Sequence, residues 1–308
     1  MIFVSGRSCL PIVLLQLWLS VHLTLSSSIS GSGLLPPIPR WQESWTASQA
    51  HGTAMAMAVG DCLVVVLRSP STNVYKPSCS VSETTSRDGL TLEKLDREHH
   101  PPSSMQYAPS WFPIGSHSIC AMTGLALDVE HVCRMIQKKV DDHLFVYQES
   151  VTTHAMTQTL ASFLQQACLS SGGRPYGVQC MLMGCDDIDP SDGALCIYSM
   201  DPTGTWQSWK QATAIGKFGT DVRRLLAKKL QESPIIELKA AVNCLLTSWK
   251  ETCLDVGIDK NDKEDCQVLV LQRDPKNKQK SCLFRVSKEQ VDQMMEEVEA
   301  ATVSAKSS

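Results

Sequence analysis

The sequence predicts an α+β fold of four layers, an αββα sandwich in which two β-sheets face each other and helices cover both outer sides. Three observations predict it. Groups of short strand signals alternate with pairs of helical signals, and the chain closes on a strand pair and one more helix. Each helical segment carries a single apolar stripe, as a layer packed on a sheet requires. The 308 residues, 43% of them hydrophobic, are enough for one large domain or two small ones with a well-buried core.

Taken in order, Thr53 to Val59 alternates Ala and Met, and Cys62 to Leu67 is rich in β-branched residues. Gly60-Asp61 between them is a two-residue hairpin turn. From Ser78 to about Ser110 the chain is polar, which predicts a disordered surface insertion over 80–109. Ser116 to Ala121 is a strand ending at Gly124. A helix follows with Asp128 as its N-cap and Val129, Val132, Cys133, Ile136 and Val140 on one face. A second helix bears Met156, Leu160, Leu164, Ala167 and Cys168 and stops at Gly172-Gly173.

Strands are then expected over Gly177 to Gly184, Ala194 to Ser199 and about Trp206 to Ile215. Thr220 is placed to cap a helix that buries Val222, Leu225, Leu226 and Leu230. Ser233-Pro234 opens another, with Leu238, Val242, Leu245 and Trp249 as its apolar face. Last come strands at Cys266–Leu271 and Cys282–Val286 and a helix carrying Val291, Met294 and Val298. Ser287-Lys288-Glu289-Gln290 has the capping-box spacing at its start.

The net charge of -4 argues against a nucleic-acid partner, because phosphate neutralisation needs a basic surface. No stretch in the body of the chain has the roughly 20 apolar residues of a membrane span, so no stable insertion is expected. The 13 cysteines are scattered singly in apolar runs with no C-x-x-C pair, which excludes the usual zinc and thioredoxin-like spacings. They read as buried reduced thiols and point to a reducing compartment. The amino terminus points elsewhere. Residues 1–30 place Arg7 ahead of an apolar run from Cys9 and a serine run from Ser26, the outline of a signal or transit segment. A start assigned too far upstream is the other reading.

Three blocks in order carry a resemblance. Phe112-Pro-Ile-Gly-Ser-His117-Ser-Ile-Cys-Ala-Met-Thr-Gly124-Leu to Asp128 is similar to the F-x-I-D-x-H-I-x-C-A-x-A-G-L-x-x-D pattern of proteasome alpha-type subunits. Arg174-Pro175-Tyr176-Gly177 resembles their R-P-F/Y-G strand start. Asp201-Pro202-Thr203-Gly204, which reads as a hairpin turn, then Trp209-Lys210 to Ile215-Gly216, resembles D-P-S-G followed by W-K-A-x-A-I-G. The similarity covers roughly residues 51–302, the expected domain, with 31–50 as a degraded alpha-type leading segment and 303–308 as a tail.

The resemblance implies the Ntn-hydrolase-like sandwich and a non-catalytic subunit of the 20S core's outer ring. It implies neighbouring alpha subunits, beta-ring subunits and regulatory particles as partners, and a role in substrate entry for protein degradation, including its ubiquitin-dependent route. It implies cytoplasm and nucleus, which the signal-like segment contradicts, and no cofactor or metal. The signature residues are expected to be structural, His117 included.

Beta-type relatives of this fold are threonine hydrolases that cut themselves between Gly and Thr, and Gly52-Thr53 offers that dipeptide. The aspartate and lysine that the beta pattern places 16 and 32 residues on are here Ser69 and Thr85, neither of which carries charge. His99-His100 reads as part of a solvated loop. Asp186-Asp187-Ile188-Asp189 with Asp192 lacks the spacing and glycine of a calcium loop and reads as a hairpin loop.

The family's tyrosine-aspartate-arginine gate motif and leading helix have only an echo at Ser30–Leu35 and Gln42–Ala47, so ordinary gating is not expected. Ser110 stands where the family places the lysine that binds an activator's tail carboxylate, and a neutral hydroxyl cannot replace that contact. The alternative function class is a diverged secreted or organellar sandwich outside any proteasome.

Overall fold

The computed structural model describes residues 40–49, 52–70, 79–95, 111–170, 173–186, 195–232, 235–256, 264–273 and 281–306. The signal-like segment, the histidine pair, Ser110, the acidic run after Asp186 and Ser233-Pro234 lie outside them. Arg40 to Ser308 forms one compact unit. It opens on a helix, α1 (Arg40–Ser48), where the sequence shows only an echo of one.

Seven strands build one sheet: β1 (Thr53–Val59), β2 (Cys62–Pro70), β3 (Cys79–Thr85), β4 (Thr91–Leu95), β10 (Ala212–Gly216), β11 (Glu264–Arg273) and β12 (Ser281–Val286). Their order is β10-β1-β2-β11-β12-β4-β3. The second sheet has β5 (Trp111–Ile114), β6 (Ser118–Gly124), β7 (Val178–Cys185), β8 (Leu195–Met200) and β9 (Trp206–Trp209), in chain order. On it lie α2 (Ala126–Tyr147) and α3 (Thr153–Leu169). The larger sheet carries α4 (Gly219–Glu232), α5 (Leu238–Val256) and α6 (Lys288–Lys306), the last running into the expected tail.

Period-two alternation divides the interior into three apolar slabs. In β1, Met55, Met57 and Val59 face α4 to α6, while Ala54 and Ala56 face the other sheet. Val64 and Val66 point outward from β2 and Leu63, Val65 and Leu67 inward; Val268 and Val270 oppose Leu269 and Leu271 in β11 in the same way. Cys120, Met122, Cys180 and Leu182 face α2 and α3, and Ile119, Ala121, Met181 and Met183 fill the gap between sheets. Each fully buried side chain of this size contributes about 1.5–3 kcal/mol. This is the expected αββα sandwich.

Four local readings differ from expectation. The polar stretch forms a β-hairpin over 79–95 that extends the sheet edge; Leu90, Leu92 and Leu95 anchor it, and its exposed residues explain the polar composition. The strand expected over 206–215 is two strands in different sheets, because the chain crosses between them at Lys210-Gln211. Thr220 lies inside α4, which begins at Gly219. Gln290 does not close a capping box on Ser287: its Oε1 accepts the Thr91 N–H at 2.7 Å and its Nε2 donates to the Gly89 carbonyl.

The hairpin also caps α5, since Asp88 Oδ2 accepts the Leu238 N–H at 2.9 Å. Asp88→Ala is therefore expected to cost about 1 kcal/mol in urea unfolding, the usual loss for an N-cap acceptor.

Candidate functional site

One end of the sandwich gathers several of the predicted residues. Gly52 has φ +76° and leads into Thr53, which is buried at the start of β1. The Thr53 hydroxyl donates to the Lys217 carbonyl at 2.9 Å, and the Lys217 N–H returns a bond to the Gly52 carbonyl at 2.9 Å. Gly216, φ +86°, donates its N–H to Gln179 Oε1 at 2.7 Å. A Cβ on Gly216 would stand 2.4 Å from the Gly52 carbonyl oxygen, so only glycine fits.

Helix α1 closes over this end against β6 and β7. Ser44 Oγ donates to the Pro175 carbonyl at 2.9 Å, and Thr123 Oγ1 donates to the Ser48 carbonyl at 3.3 Å. Gly177 lies so close that an added Cβ would sit 3.1 Å from Ala47 Cβ.

Asp128 is not an N-cap. Helix α2 begins two residues earlier, at Ala126, with Leu125 as its uncapped N-cap residue. The Asp128 carboxylate instead takes the Arg174 guanidinium by both oxygens, at 2.6 and 2.7 Å, and the Gly177 N–H at 2.8 Å. Burial pushes this carboxyl up, but the bonds from Arg174 and Gly177 outweigh it and hold it below the ordinary carboxylate range. Gly124 is wedged beside them with φ +128°. Thus Gly124, Asp128, Arg174, Pro175, Gly177 and Gly216, far apart in sequence, are brought to one junction. Tyr176 turns away and stacks on His131 and Phe163, at 5.4 and 5.3 Å between centroids.

A second junction forms around Asp186, whose role the sequence reading missed. Its Oδ1 accepts the Thr153 N–H at 2.9 Å and the Thr153 hydroxyl at 2.6 Å, and its Oδ2 accepts the His154 N–H at 3.0 Å. These are orphan donors at the start of α3, so a strand-end carboxylate caps a helix and complements its dipole. His117, buried in the turn before β6, brings Nε2 to 3.5 Å from Asp186 Oδ1, and Ser116 Oγ sits 3.3 Å from its Nδ1. Burial raises the Asp186 carboxyl, and the bonds from His117, Thr153 and His154 more than reverse that, leaving it below its ordinary value. Thr152-Thr153 ahead of an apolar run was the available sequence signal.

Asp201 to Gly204 forms the expected turn between β8 and β9. Asp201 Oδ1 accepts the Thr203 and Thr205 N–H groups, and Gly204 has φ +83°. Pro202 is buried and its carbonyl receives the Cys168 thiol. Trp209 Nε1 donates to Ser199 Oγ at 2.7 Å, Ile215 packs between the sheets and Lys210 is exposed.

Among the described residues no acid and base are poised with Thr53 as a nucleophile. Its hydroxyl donates to a carbonyl, which cannot take a proton from it. Ser69 lies in β2 opposite Asp265, and Thr85 lies in β3 at the far edge of the sheet. Among the described residues no three His, Cys, Asp or Glu side chains converge as metal ligands. Burial pushes the thiols of Cys133 and Cys196 up to about 12 and that of Cys266 to about 11, too high for a nucleophile. An open depression on α3, lined by Ser162, Gln165, Gln166, Leu169 and Ser170, contains no ionisable group. No described helix is long and apolar enough to cross a membrane.

The model of a known family, "Proteasome subunit", matches residues 102–263, from ahead of β5 to ahead of β11. The chain belongs to the proteasome subunit family. Alpha-type subunits are among its relatives there. It is 28% identical over 161 residues to mouse proteasome subunit alpha type-8, covering 52% of this chain and 60% of that protein. It is 37% identical over 107 residues to a probable proteasome subunit alpha type-2 of Schizosaccharomyces pombe, covering 35% of this chain and 40% of the relative. With proteasome subunit alpha type-2 of Caenorhabditis elegans it shares 27% identity over 151 residues, 49% of this chain and 62% of the relative. The chain therefore spans less than two thirds of the length of these relatives.

Proposed function

We propose that this chain is a structural alpha-type subunit of the 20S proteasome core, built into an outer ring and contributing no peptide-bond hydrolysis of its own. The observation that carries the second half is the closure of the Thr53 end. Helix α1 lies against β6 and β7 of the facing sheet, and the Thr53 hydroxyl is spent on the Lys217 carbonyl. The partners in this reading are neighbouring alpha subunits, the beta ring and regulatory particles, and the cell compartments are cytoplasm and nucleus. The sandwich domain forms the body of the subunit, and the signature residues at the two junctions keep its end and its helix layer in place. Its part in degradation is to shape the entrance through which unfolded chains reach active sites in other subunits.

Two measurements test the absence of catalysis. The intact mass of the mature chain is expected to show no product beginning at Thr53, since among the described residues the Thr53 hydroxyl meets only the Lys217 carbonyl. Thr53→Ala is expected to leave the peptidase activity of particles containing this chain unchanged, while lowering stability by about 1 kcal/mol through loss of the bond to Lys217. A mature form starting at Thr53, or peptidase activity lost with this hydroxyl, contradicts the reading.

A further inference from the structure

Arg223 and Trp209 stand on the side wall of the sandwich where both sheets end. β9 is the edge of the smaller sheet and β10 the edge of the larger, and the exposed Lys210-Gln211 link joins them. The Trp209 indole is fixed by its bond to Ser199, and the Arg223 guanidinium, projecting from α4, lies 5.0 Å from the ring centroid. Among the described residues no carboxylate pairs with Arg223, and its Nε is buried without a hydrogen-bond partner. Other arginines of the surface differ: Arg174 is held by Asp128, Arg134 by Glu130, Arg224 by Asp221 and Arg285 by Glu93. Burial lowers the pKa of Arg223 with no acid to offset it, whereas Asp128 raises that of Arg174.

We infer that Arg223, held on the Trp209 ring, receives a carboxylate side chain of the subunit that stands beside this chain in its ring. The inference rests on the ring-subunit reading proposed above. A half-buried cation without a counter-charge costs stability in the isolated chain, and an incoming carboxylate removes that cost. The guanidinium presents a planar fork that takes Asp or Glu through two parallel bonds, and the aromatic platform fixes the plane of the fork. Lys210, next to Trp209 in the chain and exposed, adds positive charge to the same wall. Two strand edges side by side make a surface suited to another protein. Ring neighbours meet head to tail, so the acid belongs to a different surface from this wall.

Arg223→Lys provides the test, because it places a primary amine at the site. A carbodiimide joins an amine to a carboxylate only when the two are in direct contact. In particles recovered through a tagged full-length chain, the expected product is a zero-length cross-link from position 223 to an Asp or Glu of another alpha-type subunit. Arg223→Gln is expected to lower the share of chain found in the particle roughly tenfold or more. Its thermal midpoint as an isolated chain should stay at or above that of the unsubstituted protein, since an unpaired cation has been removed. Absence of an intermolecular link, a link confined to acids of this chain such as Asp221, or undiminished assembly of Arg223→Gln overturns the inference. If the unsubstituted chain enters no particle, the ring-subunit reading fails first and takes this one with it.

Discussion

Gly124→Ala is expected to lower the thermal midpoint by roughly 10 °C or more, the largest effect of any single methyl group added at the junctions. An alanine Cβ at this position would lie 2.0 Å from the Gly177 carbonyl oxygen, far inside contact distance, and that neighbour is backbone that no rotamer change can move. That same carbonyl accepts the Leu125 N–H at 3.0 Å, so displacing it breaks the contact that joins the start of α2 to the start of β7. The φ of +128° adds a conformational penalty for any residue with a Cβ. Together these cost about 4 kcal/mol, at about 2–4 °C per kcal/mol for a domain of this size. Gly89→Ala is the control. Its φ is also positive, at +79°, but nothing lies within 4 Å of the added carbon, so it should lose only about 1 kcal/mol. Equal losses at the two sites would show that the close approach at Gly124 does not govern stability.

Asp186→Asn is expected to cost about 3 kcal/mol, because an amide presents its own N–H groups where Thr153 and His154 need an acceptor. The same carboxylate gives a pH signature. Its folded pKa is depressed, so its contribution is fully present above the unfolded value of about 4 and is lost as pH falls through the folded value. Asp128, also depressed, adds to the same window. The native chain should therefore lose stability steeply below about pH 4, and the Asp186→Asn variant should show a shallower acid dependence on a lower plateau. Urea midpoints measured from pH 7 down to the acid limit check this. Parallel curves for the two proteins would mean that Asp186 does not titrate with folding.

How much of this was legible in the sequence follows from the range of the interactions. The Ala/Met alternation in β1 was readable as a strand because period two is local; that the small residues lie between the sheets and the long ones under helices is seen only in the structure. The Asp201 to Gly204 turn was readable because its bonds close within five residues. Asp128 was misread as a cap because its true partners, Arg174 and Gly177, lie 46 and 49 residues away. Asp186 was passed over for the same reason, with Thr153 33 residues distant and nothing local to single it out from the acids that follow. The hairpin over 79–95 was hidden by composition, since an edge hairpin buries only a few leucines. Helix α1 was obscured by the proline-rich stretch before it. That Arg223 meets no carboxylate among the described residues had no sequence signal at all, because it depends on what lies nearby in space.

The central claim, a ring subunit of the 20S core without activity of its own, is tested most directly by the native size of the endogenous protein and the identity of what co-migrates with it. The expected result is a large particle in which this chain stands beside other alpha-type subunits, with beta-type subunits supplying the peptidase activity. A monomer or small oligomer free of beta-type subunits would contradict it, leaving the fold in place and the proposed function without support.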